Sequence, residues 1–301
     1  GGAAASAVAG NAPGTLGASN AGVLYRPGPF FLLDFLLTWG PLWLLALGTR
    51  LGWFEDGLAL LILAGISATI SAILFVHATG NRTFIRDFWV RAVDPRRIGA
   101  LWWLVILGSQ LVINIAAILL SMAGGGSPVQ LTLSEEFLAA PVGFVLFILV
   151  FGPIPEELGW RGYGLDALRS RMNLFEASLL MAGIWALWHL PLVFWEGSFQ
   201  RSLLAYPPAL VSYFIAFLPG SILMSWIYYR TKRSTLSAIL FHFAGNAAGE
   251  LFHMALPTRV LQAVLSMLLA AVVLWCEWPM FSQREFWLEF RPLRPSRASG
   301  A

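Results

Sequence analysis

Charge is what this sequence has least of. Asp, Glu, Lys and Arg make up 12% of its 301 residues, against 58% hydrophobic residues, whereas a soluble domain carries about 25% charged residues. The mean hydropathy is +0.72. A chain that poor in charge cannot clothe a water-facing surface, which excludes an ordinary soluble domain and points to lipid as the solvent. Cysteine is nearly missing too: Cys276 stands alone, so no intramolecular disulfide framework exists. The formal charge of +3 is too small for a nucleic-acid binder, and no such partner is expected. Residues 1–24 have neither the basic start nor the apolar run of a signal peptide. Rich in Gly, Ala and Ser, they are expected to form a flexible tail. The first residue is Gly rather than Met, so the natural start is expected to lie elsewhere.

What is present is a succession of long apolar runs. Segments at about 30–49, 58–78, 101–123, 137–155, 176–195, 207–229, 235–254 and 258–280 each approach the roughly 20 residues needed to cross a hydrocarbon core of about 30 Å. In lipid such runs are helices, because a helix satisfies its own backbone. The expected fold class is all-α: a polytopic membrane protein of eight transmembrane helices in a domain over 25–290, followed by a cytoplasmic tail at 291–301. Basic residues set the orientation. Of the 19 Lys and Arg, all but Arg50, Arg201 and Arg259 fall in the tails or in the loops after the second, fourth and sixth segments. Both termini are therefore expected in the cytoplasm. The loop from Asn81 to Gly99 mixes Phe84, Ile85, Phe88, Trp89 and Val90 with arginines and is expected as an amphipathic helix on the cytoplasmic membrane surface.

Ionisable groups at membrane depth are costly, so each is a candidate for function. Three clusters stand out: Glu156-Glu157-Leu158-Gly159-Trp160-Arg161, then Trp185 to Pro191 around His189, then Phe241 to Asn246 around His242. His242 and Asn246 stand at i and i+4, on one helix face, as do Glu157 and Arg161, which are spaced for an ion pair. Glu156 is turned about 100° from Glu157, so the two carboxylates need not share a direction. Pro153 and Pro155 remove backbone donors just ahead of them and should loosen the helix and admit water. Each cluster alone has a plainer reading: a solvated acidic cap, a core histidine, a His/Asn pair joining helices. Their co-occurrence is what favours chemistry. His77 and His253 lie near segment ends and read as structural, and Asn114 reads as interhelical glue.

These residues resemble the signature of the CPBP family, the CAAX-type intramembrane endopeptidases and their bacteriocin-processing and self-immunity relatives. The resemblance rests on Glu156-Glu157-x-x-x-Arg161, the aromatic-x-x-x-His pair Trp185/His189, and His242-x-x-x-Asn246. It covers about residues 150–250, roughly a third of the chain. One departure is visible: the second motif usually begins with Phe, where this chain has Trp185, an aromatic expected to pack beside the site. The resemblance implies eight helices and hydrolysis of a peptide bond, classically beside a prenylated C-terminal cysteine. It also implies roles. Glu156 with His189 would activate water, His242 and Asn246 would hold the oxyanion, and Glu157 and Arg161 would support them.

Two mechanisms stay open. A glutamate can activate water without a metal; alternatively Glu156, His189 and His242 could bind zinc with one position open for water. No HExxH is present, and the preferred reading needs no cofactor. The expected partners are the bilayer and a membrane-associated or lipidated peptide. The expected location is the cell's inner membrane, with a cavity in the cytoplasmic half opening to the cytoplasm. At about 1.5 Å per residue, the segment ends put His189 about 20 Å below the cytoplasmic edge but Glu156 almost at it. Convergence therefore requires the fourth helix to continue beyond Glu157. A catalytically idle scaffold or immunity factor and a small-solute transporter are the competing functions. The intact polar set speaks against the first, and the lack of an internal repeat against the second.

Overall fold

The computed structural model describes residues 15–16, 24–55, 57–284 and 288–289. The tails expected at 1–24 and 291–301 lie almost wholly outside the described residues. Among the described residues the regular elements are helices, apart from a two-residue antiparallel pairing of Thr15–Leu16 with Leu288–Glu289 and an isolated bridge between Leu133 and Phe252. Helix α1 spans Pro27–Arg50. Then α2 (Leu58–Gly65) and α3 (Ser67–Ala78) meet at 42°. The amphipathic loop holds α4 (Arg82–Val93), and α5 spans Ala100–Ala123. The fourth apolar segment is broken. It forms α6 (Pro141–Phe151), α7 (Pro153–Gly159), a π-helical turn at Trp160–Gly164 and α8 (Leu165–Arg169). Helices α9 (Leu174–His189), α10 (Pro207–Arg230), α11 (Thr235–Leu251) and α12 (Leu256–Ser282) complete the bundle.

Six of these stretches are long and apolar enough to cross a membrane, and the bent α2–α3 pair makes a seventh if it counts as one span. The remaining expected span, 235–254, is the 17-residue α11. At 1.5 Å per residue it is about 25 Å long, short of a full hydrocarbon core. It stops where Leu133 pairs with Phe252 and Ser134 N–H bonds the Leu251 carbonyl.

Local chemistry sets the helix ends. Asn81 caps α4 through Thr83 N and Phe84 N, and Asn173 with Glu176 forms a capping box on α9, each satisfying orphan amides of a first turn. Proline opens α1, α6, α7, α10 and α12, where its missing N–H costs nothing. Gly159 is required by a close approach: a Cβ there would lie 2.5 Å from the Ala68 carbonyl carbon. Its absence lets α7 press against α3.

One end of the bundle is tied by a buried ionic network. Asp87 on α4 binds Arg91 at 2.8 Å, Arg97 at 3.3 Å and Arg233 at 3.4 Å. Asp166 on α8 accepts from Tyr228, Tyr229 and Arg233, and Tyr25 joins them. These residues come from the segment before α1, from α4 and the turn after it, from α8, and from the last turn of α10 and the residues after it, so those segments share one end. The network also holds strain: Lys232 and Arg233 have φ of 56° and 59°, a left-handed conformation costing about 1–2 kcal/mol per residue. The Arg97 bond to the Lys232 carbonyl and the carboxylates on Arg233 hold that turn.

The network revises two expectations. Helix α4 does not simply float on the membrane: Phe84, Asp87, Phe88 and Arg91 are buried against the protein, while Trp89 and Val93 remain exposed. Several cations expected as loop charges, namely Arg91, Arg97, Arg161, Arg169 and Arg233, are buried.

Candidate active site

The break before α7 builds the site. Gly152 (φ −141°, ψ −86°) separates α6 from α7, and Pro153 opens the new helix, which then continues through the π turn to Arg169. That run carries Glu156 and Glu157 inward from the ionic end, as convergence requires. π turns widen a helix and recur at functional sites. Trp160, the first residue of this one, donates from Nε1 to Asp34 of α1 at 3.3 Å. Asp34 also accepts from Ser67 at 2.7 Å, which fastens α7 to α1 and α3.

The two glutamates take different partners. Glu157 is fully buried and accepts both contacts of Arg161 Nη1, at 3.1 and 3.0 Å. His242 Nδ1 donates to its Oε1 at 2.9 Å. The other two guanidinium nitrogens, Arg161 Nε and Nη2, are buried without a hydrogen-bond partner. The Arg161 guanidinium stacks 5.1 Å from the Trp185 ring, a favourable cation–π position. Glu156 instead accepts from Trp185 Nε1 at 3.1 Å. His189 Nδ1 bonds the Trp185 carbonyl at 2.9 Å. A carbonyl can only accept, so Nδ1 carries the proton and Nε2 is left with the lone pair.

Glu156, His189, His242 and Asn246 all line one cavity of about 1200 Å³, whose other walls are mostly apolar. Asn246 comes close to Glu156 around Gly152: a Cβ there would lie 3.4 Å from Asn246 Nδ2 and 4.0 Å from Glu156 Oε1. Glu157 and Arg161 are not in the wall; they sit behind it. All six sequence-selected residues are thus gathered, four at the surface of the recess and two supporting it.

The cavity lies at the end of the bundle away from the ionic network: it is lined by Leu42, Leu58, Ile62 and residues near Glu136 and Phe199, and by no member of that network. The physical reason is the length of helix beyond the glutamates. Arg169 lies twelve residues past Glu157, about 18 Å of helix. His189 sits at the far end of α9, where Trp39 of α1 donates to the Leu187 carbonyl.

Among the described residues no three His, Cys, Asp or Glu side chains converge as metal ligands, Glu156, His189 and His242 included. Tetrahedral zinc sites need such convergence within about 2.3 Å of the ion.

Other expectations fare variously. His77 accepts from Trp89 Nε1 at 3.3 Å, a structural contact. His253 is exposed. Asn114 does not join helices: its amide donates to Gln110 O within α5. Three features went unread in the sequence. Asp34 is a carboxylate inside the first apolar run, and its depth alone should have marked it. Gln110 and Arg259 line the cavity. Trp185 is a hydrogen-bond donor to Glu156 and not only a packing aromatic.

A family model described as "Type II CAAX prenyl endopeptidase Rce1-like" matches residues 138–248. The chain is also 32% identical over 265 residues to a CAAX prenyl protease 2 of Methanococcus maripaludis, covering 86% of this chain and 97% of that protein. This chain belongs to the CAAX prenyl protease family. As a member of that family with several long apolar helices, it is an integral membrane peptidase. The family match spans all three clusters, so α7, α9 and α11 carry both the resemblance and the cavity wall.

Proposed function

We propose that this CAAX-protease-family member hydrolyses a peptide bond inside the membrane by a metal-free, glutamate-activated water. The observation that carries the reading is the gathering of Glu156, His189, His242 and Asn246, from three separate helices, on one largely apolar recess. Water held between the Glu156 carboxylate and His189 Nε2 gives a proton to Glu156 as its oxygen adds to the scissile carbonyl carbon. The resulting oxyanion is held by His242 Nε2–H and by the Asn246 amide. His242 carries protons on both nitrogens in that state, balanced by Glu157, which Arg161 fixes in turn. The C–N bond then breaks, and Glu156 returns its proton to the leaving amine. Donors prearranged in a dry site act most strongly where charge develops.

The substrate in this reading is a prenylated peptide with a C-terminal CAAX-type sequence. Its lipid would lie along the apolar wall formed by Leu58, Ile62, Phe147 and Phe151. The peptidase unit comprises residues 25–290, crossing the membrane eight times with α11 as a short pass. Both termini are cytoplasmic, because the ionic end bears most of the exposed cations.

The test is cleavage of a farnesylated peptide by purified protein in lipid. Glu156→Gln and His189→Ala should each abolish cleavage while the thermal transition is kept. Wild-type activity should survive exhaustive chelation. Cleavage by both variants would refute the assignment, and activity lost to chelator and restored by zinc would refute the metal-free route.

A further inference from the structure

The same cavity holds a cation that the hydrolysis just described does not use. Arg259, in the first turn of α12, lines it together with Gln262 and Ser266. The three stand at i, i+3 and i+7, so one face of an otherwise apolar helix turns a polar stripe inward. An arginine near the end of a membrane helix ordinarily extends to the lipid headgroups. This one is directed inward. Its guanidinium lies 4.9 Å from the Phe199 ring centre, Nη2 reaches the Gly249 carbonyl at a long 3.4 Å, and Nε is buried with no partner. Glu136 and Glu250 line the cavity as well, but among the described residues neither forms an ion pair with Arg259. The guanidinium is thus held in place with donors left to give.

We propose that Arg259, assisted by Gln262, binds the free C-terminal carboxylate of the peptide substrate. Distance supports this. Gly249 lies three residues, about 4.5 Å, beyond Asn246 along α11, and the guanidinium sits beside it. The guanidinium thus stands one helical turn from the oxyanion donor Asn246 on a shared cavity wall, within the reach of a short extended segment at roughly 3.3 Å per residue. Three residues follow the cysteine in a C-terminal C-a-a-X sequence. A substrate cleaved after that cysteine would lay its lipid on the apolar wall and its terminal charge on Arg259. Guanidinium and carboxylate form a matched, charge-assisted pair. The inference rests on the peptidase reading above and deepens it by naming how the leaving segment is recognised.

The experiment compares two farnesylated peptides of one sequence, one ending in a free acid and one in a primary amide, in zwitterionic and in anionic vesicles. Wild-type protein should cleave both, with KM for the amide raised at least about tenfold, the scale of a hydrogen bond to a charged group, and kcat little changed. Arg259→Gln should process the two alike, at the wild-type rate for the amide. Equal treatment of both peptides by wild-type protein, or full discrimination by the variant, overturns the carboxylate site and leaves the peptidase reading standing. A variant whose defect appears in anionic vesicles only would assign Arg259 to lipid headgroups and also overturn it. Failure of wild-type protein to cleave either peptide would instead refute the peptidase reading. The acid-to-amide comparison needs no variant, so misfolding of Arg259→Gln cannot shield the proposal.

Discussion

Trp185 binds Glu156 through its indole N–H at 3.1 Å and, through its own carbonyl, orients His189 at 2.9 Å. The same ring lies against Arg161 and edge-on to His242, with ring centres 5.2 Å apart in the second case. One residue therefore touches four of the six polar groups of the site, three through its ring and one through its carbonyl. A phenylalanine at this position would keep the stacking and the carbonyl but could not reach the carboxylate with a donor.

Trp185→Phe should accordingly lower kcat by about tenfold, the scale of one hydrogen bond to a charged group, with KM and the thermal transition nearly unchanged. Steady-state kinetics on a farnesylated peptide measures this. An unaltered kcat would show that Glu156 keeps its position without the indole.

The Glu157–Arg161 pair makes a different prediction. Both side chains are fully buried, and removing one charge from a buried pair leaves the other uncompensated, at about 3–5 kcal/mol. Arg161→Met should therefore destabilise strongly. Glu157→Gln combined with Arg161→Met should regain much of the stability without regaining activity, because His242 still lacks its anionic partner. Denaturation in detergent of the two single variants and the double gives the coupling. Additive losses would mean that the pair is not a unit.

Much of this site was legible in the sequence because ionisable residues in lipid are expensive, and spacing alone put His242 over Asn246 and Glu157 over Arg161. The apolar runs likewise announced an all-helical membrane protein. Three things were not legible. Where a helix ends within an apolar run is set by tertiary contacts: the run carrying Glu156 extends to Arg169 because Arg161 and Asp166 find buried partners, and so the cavity stands apart from the ionic end. The destination of a cation is hidden as well, since Arg91, Arg97 and Arg233 count like loop charges until Asp87 and Asp166 are seen beside them. Finally, hydropathy marks a tryptophan as apolar, so the donor role of Trp185 emerged only with the position of Glu156.

The ionic network should matter to folding and not to chemistry. Asp166→Leu removes the acceptor for Tyr228, Tyr229 and Arg233 and frees the strained turn at Lys232 and Arg233. A loss of several kcal/mol is expected, seen as a lowered thermal transition. The folded fraction should retain kcat within about twofold, because no network member lines the cavity; additivity of distant sites is the basis. A selective loss of kcat at full stability would reveal coupling between the two ends.

Orientation can be read with single cysteines, since Cys276 is the only one to remove. Glu196 is exposed in the segment after α9, near the cavity end, and Arg86 is exposed on α4, at the ionic end. In a Cys276→Ser background, Glu196→Cys should react with a membrane-impermeant maleimide on intact cells, and Arg86→Cys only after permeabilisation. The argument is the positive-inside bias: even after the buried arginines are set aside, Arg26, Arg82, Arg86, Arg96, Arg171, Arg230, Lys232 and Arg284 gather at the ionic end, against Arg50 and Arg201 opposite. The reverse labelling pattern would turn the cavity half to the cytoplasm and both termini outward. Labelling of both positions from one side would mean that the two ends do not face opposite compartments, which the eight-pass arrangement cannot accommodate.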